Sequence, residues 1–169
     1  MSNIYLVGFM CSGKSTVGKL LAKELNLKFI DVDTLIEEET GQKISDIFKQ
    51  KGEKYFRELE KEKIHQLSKR QGLVVSTGGG LGADFENMNL MKKTGTVVWL
   101  KVPFDTVIER CGDDKSRPML NMSKEKLKNL FKEREEVYKL ADFSIDTEGK
   151  TPEEILNQIK VLLKIAGAI

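Results

Sequence analysis

Residues 4–16, Ile-Tyr-Leu-Val-Gly-Phe-Met-Cys-Ser-Gly-Lys-Ser-Thr, constrain this chain more than any other stretch. Ile4–Val7 is a short apolar run of the kind that forms a buried parallel strand. Gly8 to Ser15 then fits G-x-x-x-x-G-K-[ST], and the helical spacing of Val17, Leu20, Leu21 and Leu25 follows at once. Strand, glycine loop and helix in that order are the context a phosphate loop requires. Gly8 and Gly13 allow backbone angles and close approaches that a Cβ would block. The backbone N–H groups along Cys11, Ser12, Gly13, Lys14, Ser15 and Thr16 then converge on phosphate oxygens, aided by the positive end of the helix dipole. Lys14 is placed to reach the β- and γ-phosphates, and the Ser15 hydroxyl to ligate Mg²⁺. An ordinary glycine turn before a helix is the alternative, and it does not require all four fixed positions to be met. The motif implies a bound nucleoside triphosphate.

The 169 residues are enough for one domain with a substantial core. Lys and Arg number 28 against 26 Asp and Glu, so the net charge of +2 gives no broad field for nucleic acid or an anionic membrane. No run approaches the ~18 apolar residues of a membrane span, and the first residues lack the charged and apolar regions of a leader, which reads as cytoplasmic. Cys11 and Cys111 are too few and too scattered for a disulfide framework or a metal site.

Five apolar runs (4–7, 28–32, 73–76, 96–102 and 143–145) alternate with helical patterns at 14–25, 34–39, 44–49, 52–71, 85–92, 105–111, 124–140 and 152–165. That alternation predicts an α/β fold of repeated βα units, with a parallel sheet covered by helices on both faces. Thr151, Pro152 and Glu154 form a capping-box start for the last helix. No repeat or linker divides the chain, so residues 1–169 read as one domain.

Three further features suggest chemistry. Asp31 and Asp33 close the second strand in Phe29-Ile-Asp-Val-Asp33, and period-two alternation puts both on one side of the strand end, where ligands of such sheets sit. A plain N-cap role for Asp33 before a helix starting at Thr34 is the competing reading. Gly78, Gly79 and Gly80 end the third strand, which suits close approach of backbone to a ligand better than a simple turn. The polar stretch from Arg110 to Lys124 reads as a lid, with Arg117 able to lay a cation over transferring phosphate. By local pattern alone, Arg57, Arg134 and His65 look like solvated residues on charged helix faces.

Taken together these motifs resemble the shikimate kinase family over almost the whole chain. The matching parts stand in order: Gly8–Thr16, Phe29–Asp33, Phe56-Arg57 with Glu60, Gly78–Gly80, Arg117-Pro-Met-Leu120, and Arg134 with Tyr138. The resemblance implies the three-layer P-loop fold of nucleoside monophosphate kinases, with a five-stranded parallel sheet, a lid at about 112–124 and a substrate-binding helical region at about 33–60. It implies Mg²⁺-dependent transfer of the γ-phosphoryl of ATP to the 3-hydroxyl of shikimate, on the route to aromatic amino acids, by a monomer. Asp33 would hold the accepting hydroxyl, Arg57 and Arg134 the carboxylate, and Gly79 and Gly80 would give backbone contacts. Asp31 would help hold Mg²⁺ beside Ser15. Arg117 would reach the phosphates, Arg110 would lie against adenine, and Lys150 would stand near the adenine loop. This reverses the local reading of Arg57 and Arg134, and a carboxylate substrate does favour planar bidentate guanidinium partners.

Two residues depart from the family's pattern. Cys11 stands where Gly is usual; ordinary backbone angles there would leave activity intact, and the helix N-terminus would make its thiol reactive. Met119 replaces Leu in the lid motif, a near-isosteric change. The competing functions are a kinase of the same fold for gluconate or a nucleoside monophosphate, which fits the Asp pair, the glycines and Arg57 less well, and a nucleotide-dependent switch with a protein partner.

Overall fold

The computed structural model describes residues 1–111 and 122–169. Arg117, Met119 and most of the expected lid lie outside the described residues. Five strands, β1 (Asn3–Val7), β2 (Lys28–Asp31), β3 (Leu73–Ser76), β4 (Gly95–Lys101) and β5 (Phe143–Asp146), form one sheet in the order β2-β3-β1-β4-β5. Every pairing is parallel, as the βα alternation predicts.

β1 lies at the centre and is buried along its whole length. Its residues alternate between two cores, as a strand covered on both faces must. Ile4 and Leu6 pack with Val17 and Leu21 of α1 (Lys14–Leu25) and with Ile155, Ile159 and Leu163 of the C-terminal helix (Pro152–Ile165). Tyr5 and Val7 face the larger core, which includes Ile64 of α4 (Glu53–Ser68), Met88 and Met91 of α6 (Phe85–Thr94), Val107 of α7 (Phe104–Cys111) and Phe131 of α8 (Lys124–Tyr138). Two short helices, α2 (Val32–Thr40) and α3 (Ile44–Lys51), follow β2.

The C-terminal helix matches its predicted bounds, and Thr151 and Glu154 form both bonds of the capping box. Two local expectations are corrected. α2 starts at Val32 rather than Thr34: Asp31 is its N-cap, accepting from the Thr34 N–H at 3.2 Å. Asp33 therefore sits in the first helical turn, and the period-two argument, which needs both aspartates on a strand, does not apply. The glycines expected to form a loop begin a short helix, α5 (Gly79–Gly82), capped by Gly78.

Because β1 is central and the chain leaves it toward opposite sides of the sheet, the loop after it opens at a topological switch point. This is where ligands bind in sheets of this kind.

Candidate active site

Beyond the carboxyl ends of β1, β2 and β3 lies a cleft of about 780 Å³. The phosphate loop forms one end. Gly8 has φ +151°, and a Cβ there would lie 2.7 Å from the Leu100 carbonyl oxygen; Gly13, the N-cap of α1, has φ +89°. Both positions thus need glycine, as the sequence implies. Lys14 is buried over the loop, with its Nζ donating to the carbonyls of Gly8 at 2.5 Å and Phe9 at 3.0 Å. Ser12, Gly13, Ser15 and Thr16 also line the cleft.

Ser15 Oγ donates to Asp31 Oδ2 at 2.6 Å. This puts a hydroxyl and a carboxylate oxygen side by side at the mouth of the loop. Hard oxygen donors few in number, with room for phosphate oxygens and water, are what Mg²⁺ takes in kinase sites. The donor pair fits that ion.

The other end of the cleft is built around the glycine run. A Cβ on Gly78 would lie 3.0 Å from Asp33 Oδ1 and 3.1 Å from Glu60 Oε2. One on Gly79 would lie 2.9 Å from Arg134 Nη1, and one on Gly80 would overlap the Arg57 guanidinium. None of the three has a left-handed φ. They are glycines for space: each lets a charged side chain rest against the backbone.

Those charged groups are interlinked. Arg57 Nη1 donates to Glu60 Oε1 at 2.7 Å and Nη2 to Glu53 at 3.4 Å, while the guanidinium lies over the rings of Phe48 and Phe56. Arg134 is 7% exposed, and its guanidinium lies over Phe9. Neither side chain is the solvated one its helix pattern suggests. A charged face and a charged pocket look alike along one helix, because what differs is the facing element. His65 is exposed, as expected.

Burial is the main cause of the shifts of Asp33, Glu60 and Arg134, whereas at Arg57 burial is outweighed by Glu60 and Glu53, which raise it. Burial raises Asp33, reinforced by Asp31 and opposed by Lys14 and Arg57. It lifts Glu60 to about 7 against the pull of Arg57, and lowers Arg134, helped by the like charge of Arg57. Asp33 Oδ1 and Glu60 Oε2 are buried with no hydrogen-bond partner among the described residues.

Arg110 reaches the cleft, with its Nη1 donating to the Cys11 carbonyl at 3.3 Å. Lys150 does not line it: its amine is held by the Asp146 carbonyl at 2.8 Å and Gln158 at 3.3 Å. Lys150 was placed by proximity along the chain, and the turn after β5 directs its amine elsewhere. Residues from α2 and α3 that carry no motif, among them Glu37, Lys43 and Phe48, complete the wall. Only the tertiary placement of α3 reveals them.

Both expectations for Cys11 are corrected. Its φ is +60°, a left-handed angle that costs an L-residue roughly 1–2 kcal/mol. It is also no free thiol: Cys11 and Cys111 form a disulfide, with Cα atoms 6.1 Å apart across 100 residues of sequence. Scatter along the chain hid a pair that α7 brings to the phosphate loop.

Comparison with known proteins agrees with this architecture. The family model described as shikimate kinase matches residues 10–164. A shikimate kinase of Sulfurihydrogenibium sp. is 58% identical, the match covering 97% of this chain and 99% of the relative. The crystal structure of shikimate kinase from Aquifex aeolicus superposes with a TM-score of 0.88 at 49% identity, covering 96% of each chain. That of Acinetobacter baumannii shikimate kinase in complex with shikimate gives a TM-score of 0.91 at 37% identity, covering 99% of this chain and 94% of the other. With its phosphate loop, parallel sheet and doubly cationic cleft, the chain belongs to the shikimate kinase family.

Proposed function

We infer that this chain transfers the γ-phosphoryl group of ATP to the 3-hydroxyl of shikimate, giving shikimate 3-phosphate and ADP. One observation carries the acceptor assignment. A buried carboxylate oxygen on Asp33, without a partner among the described residues, shares a cleft with two guanidinium groups, and the phosphate loop closes the other end. A hydroxylated carboxylic acid suits that arrangement, with its carboxylate on Arg57 and Arg134 and its hydroxyl on Asp33. Backbone groups of Gly79 and Gly80 line the same wall.

Asp33 orients the hydroxyl and accepts its proton as the new P–O bond forms. Its raised proton affinity suits that task, because a base is most effective near the working pH. Lys14 neutralises charge spreading over the phosphoryl oxygens, and positioning supplies most of the remaining rate. Ser15 and Asp31 would hold Mg²⁺, which would neutralise charge on the transferring phosphoryl group. Arg117, outside the described residues, is proposed as a further cation for the phosphates, and Arg110 as the residue against adenine. The chain is proposed to act as a cytoplasmic monomer of one domain.

The test is ADP release from MgATP with shikimate, gluconate, AMP or CMP as acceptor, with Lys14→Ala run alongside. Stimulation by shikimate alone, absent in the variant, supports the reading. Equal rates with all four acceptors overturn it.

A further inference from the structure

We propose that Cys11 and Cys111 form a dithiol–disulfide site, oxidised by low-molecular-weight disulfides, that sets the conformation of the phosphate loop. Three independent observations converge on it. The pair joins two elements that meet only in the folded chain, the loop after β1 and the last turn of α7, and its Cα separation of 6.1 Å lies in the usual disulfide range. Arg110, the neighbour of Cys111, donates from its side chain to the Cys11 carbonyl at 3.3 Å, a second, non-covalent link between the same two elements. Cys11 keeps a φ of +60° inside the cradle, an angle its own side chain disfavours. A covalent tether at that residue holds the loop in the form that presents its N–H groups together.

The exposures of the two residues set the order of the chemistry. Cys11 is partly exposed whereas Cys111 is 1% exposed, so an incoming disulfide meets Cys11 first. The Cys11 thiolate attacks one sulfur of a disulfide such as oxidised glutathione. That S–S bond breaks, and the first small thiol leaves with a proton. The Cys111 thiol then loses its proton and attacks Cys11 Sγ in the mixed disulfide, expelling the second small thiol. Two electrons pass from the protein pair to the oxidant, and both cysteine protons end on the released thiols.

The tether has two consequences. Closing a loop of 100 residues restricts the unfolded chain, so reduction lowers Tm by about 5–10 °C. Releasing Cys11 lets its backbone relax from the left-handed angle, so reduced protein binds ATP about 3- to 10-fold more weakly. Shikimate affinity is expected to change less than ATP affinity, because the nearest side chains against Gly78–Gly80 are Asp33, Glu60, Arg134 and Arg57.

The experiment equilibrates the full chain with oxidised or reduced glutathione. It counts thiols after denaturation, measures Tm, and measures ATP and shikimate binding directly by calorimetry. No free thiols after oxidation, two after reduction, and the paired losses in Tm and ATP affinity are expected. Cys111→Ala, which lacks the second thiol, is expected to retain a glutathione adduct on Cys11 in oxidised buffer and to show the lower Tm in either buffer. In the parent chain, two persistent thiols, a stable glutathione adduct on Cys11, or a disulfide that moves neither Tm nor ATP affinity overturns the proposal. The ATP arm rests on the proposed nucleotide role of the loop; absence of ATP binding in both redox states would defeat that role, whereas the thiol count and Tm judge the couple separately.

Discussion

Tyr138 donates its phenolic hydrogen to the Gly79 carbonyl at 2.5 Å, tying the end of α8 to the wall of the acceptor pocket. Burial pushes the phenol's proton affinity well above its ordinary value, so it remains a donor at any working pH. Arg134 lies one turn earlier on α8 and against the same glycine, so one helix supplies both the cation and the brace. Tyr138→Phe keeps the ring's packing on Trp99 but leaves a carbonyl unsatisfied, at a cost of about 1–3 kcal/mol. We expect lower stability in urea unfolding and a raised KM for shikimate, with KM for ATP unmoved. An unchanged shikimate KM would show that Gly79 needs no brace.

Asp33→Asn keeps shape and removes the proton acceptor. Loss of a general base costs about 10²–10⁴ in rate, and kcat is expected to fall in that range while ATP affinity stays the same. Steady-state kinetics with a separate nucleotide-binding measurement decides this. Near-normal kcat would assign the proton to another acceptor.

Gly80→Ala places a methyl where the Arg57 guanidinium lies. The arginine must turn away, breaking its bond to Glu60 and its stacking on Phe48 and Phe56. Shikimate binding is expected to weaken by about 1.5–3 kcal/mol, the worth of a hydrogen bond to a charged group, with ATP binding intact. Calorimetry on both ligands checks it, and equal weakening of the two would point to a misfolded sheet edge.

Glu60 gives stability a pH dependence. Its folded pKa of about 7 lies above the ordinary 4.5, so between these values the folded chain holds the extra proton. The stabilisation is fully present below the unfolded pKa and is lost as pH rises through the folded one, amounting to roughly 3 kcal/mol. In Glu60→Gln, urea midpoints between about pH 5 and pH 8 should fall less steeply than in the parent chain. Parallel pH profiles would mean that Arg57 keeps Glu60 ionised throughout.

Asp31→Asn weakens the donor beside Ser15 without emptying the cleft. The Mg²⁺ concentration for half-maximal rate is expected to rise by about 10-fold, the lower end for losing a partner at a metal site. A titration at saturating ATP and shikimate reads it, and an unchanged requirement would leave Ser15 as the sole protein donor.

Local rules acting on neighbours in sequence determined much of this protein. The G-x-x-x-x-G-K-S motif, the apolar runs alternating with helical spacing, and the capping box at Thr151 each act within a few residues, so they can be read along the chain. The resemblance of six ordered motifs supplied the acceptor residues that no local pattern marked. Tertiary structure alone decided the rest. Arg57 and Arg134 sit on helices whose charge pattern suits solvent, and only the opposing Gly78–Gly80 wall brings them into one cleft. Asp31 rather than Asp33 caps α2 because the backbone turns two residues earlier than the propensities suggest. Cys11 and Cys111 meet because α7 returns to the loop after β1. Such pairings depend on packing between elements far apart in sequence, where spacing along the chain says nothing about distance.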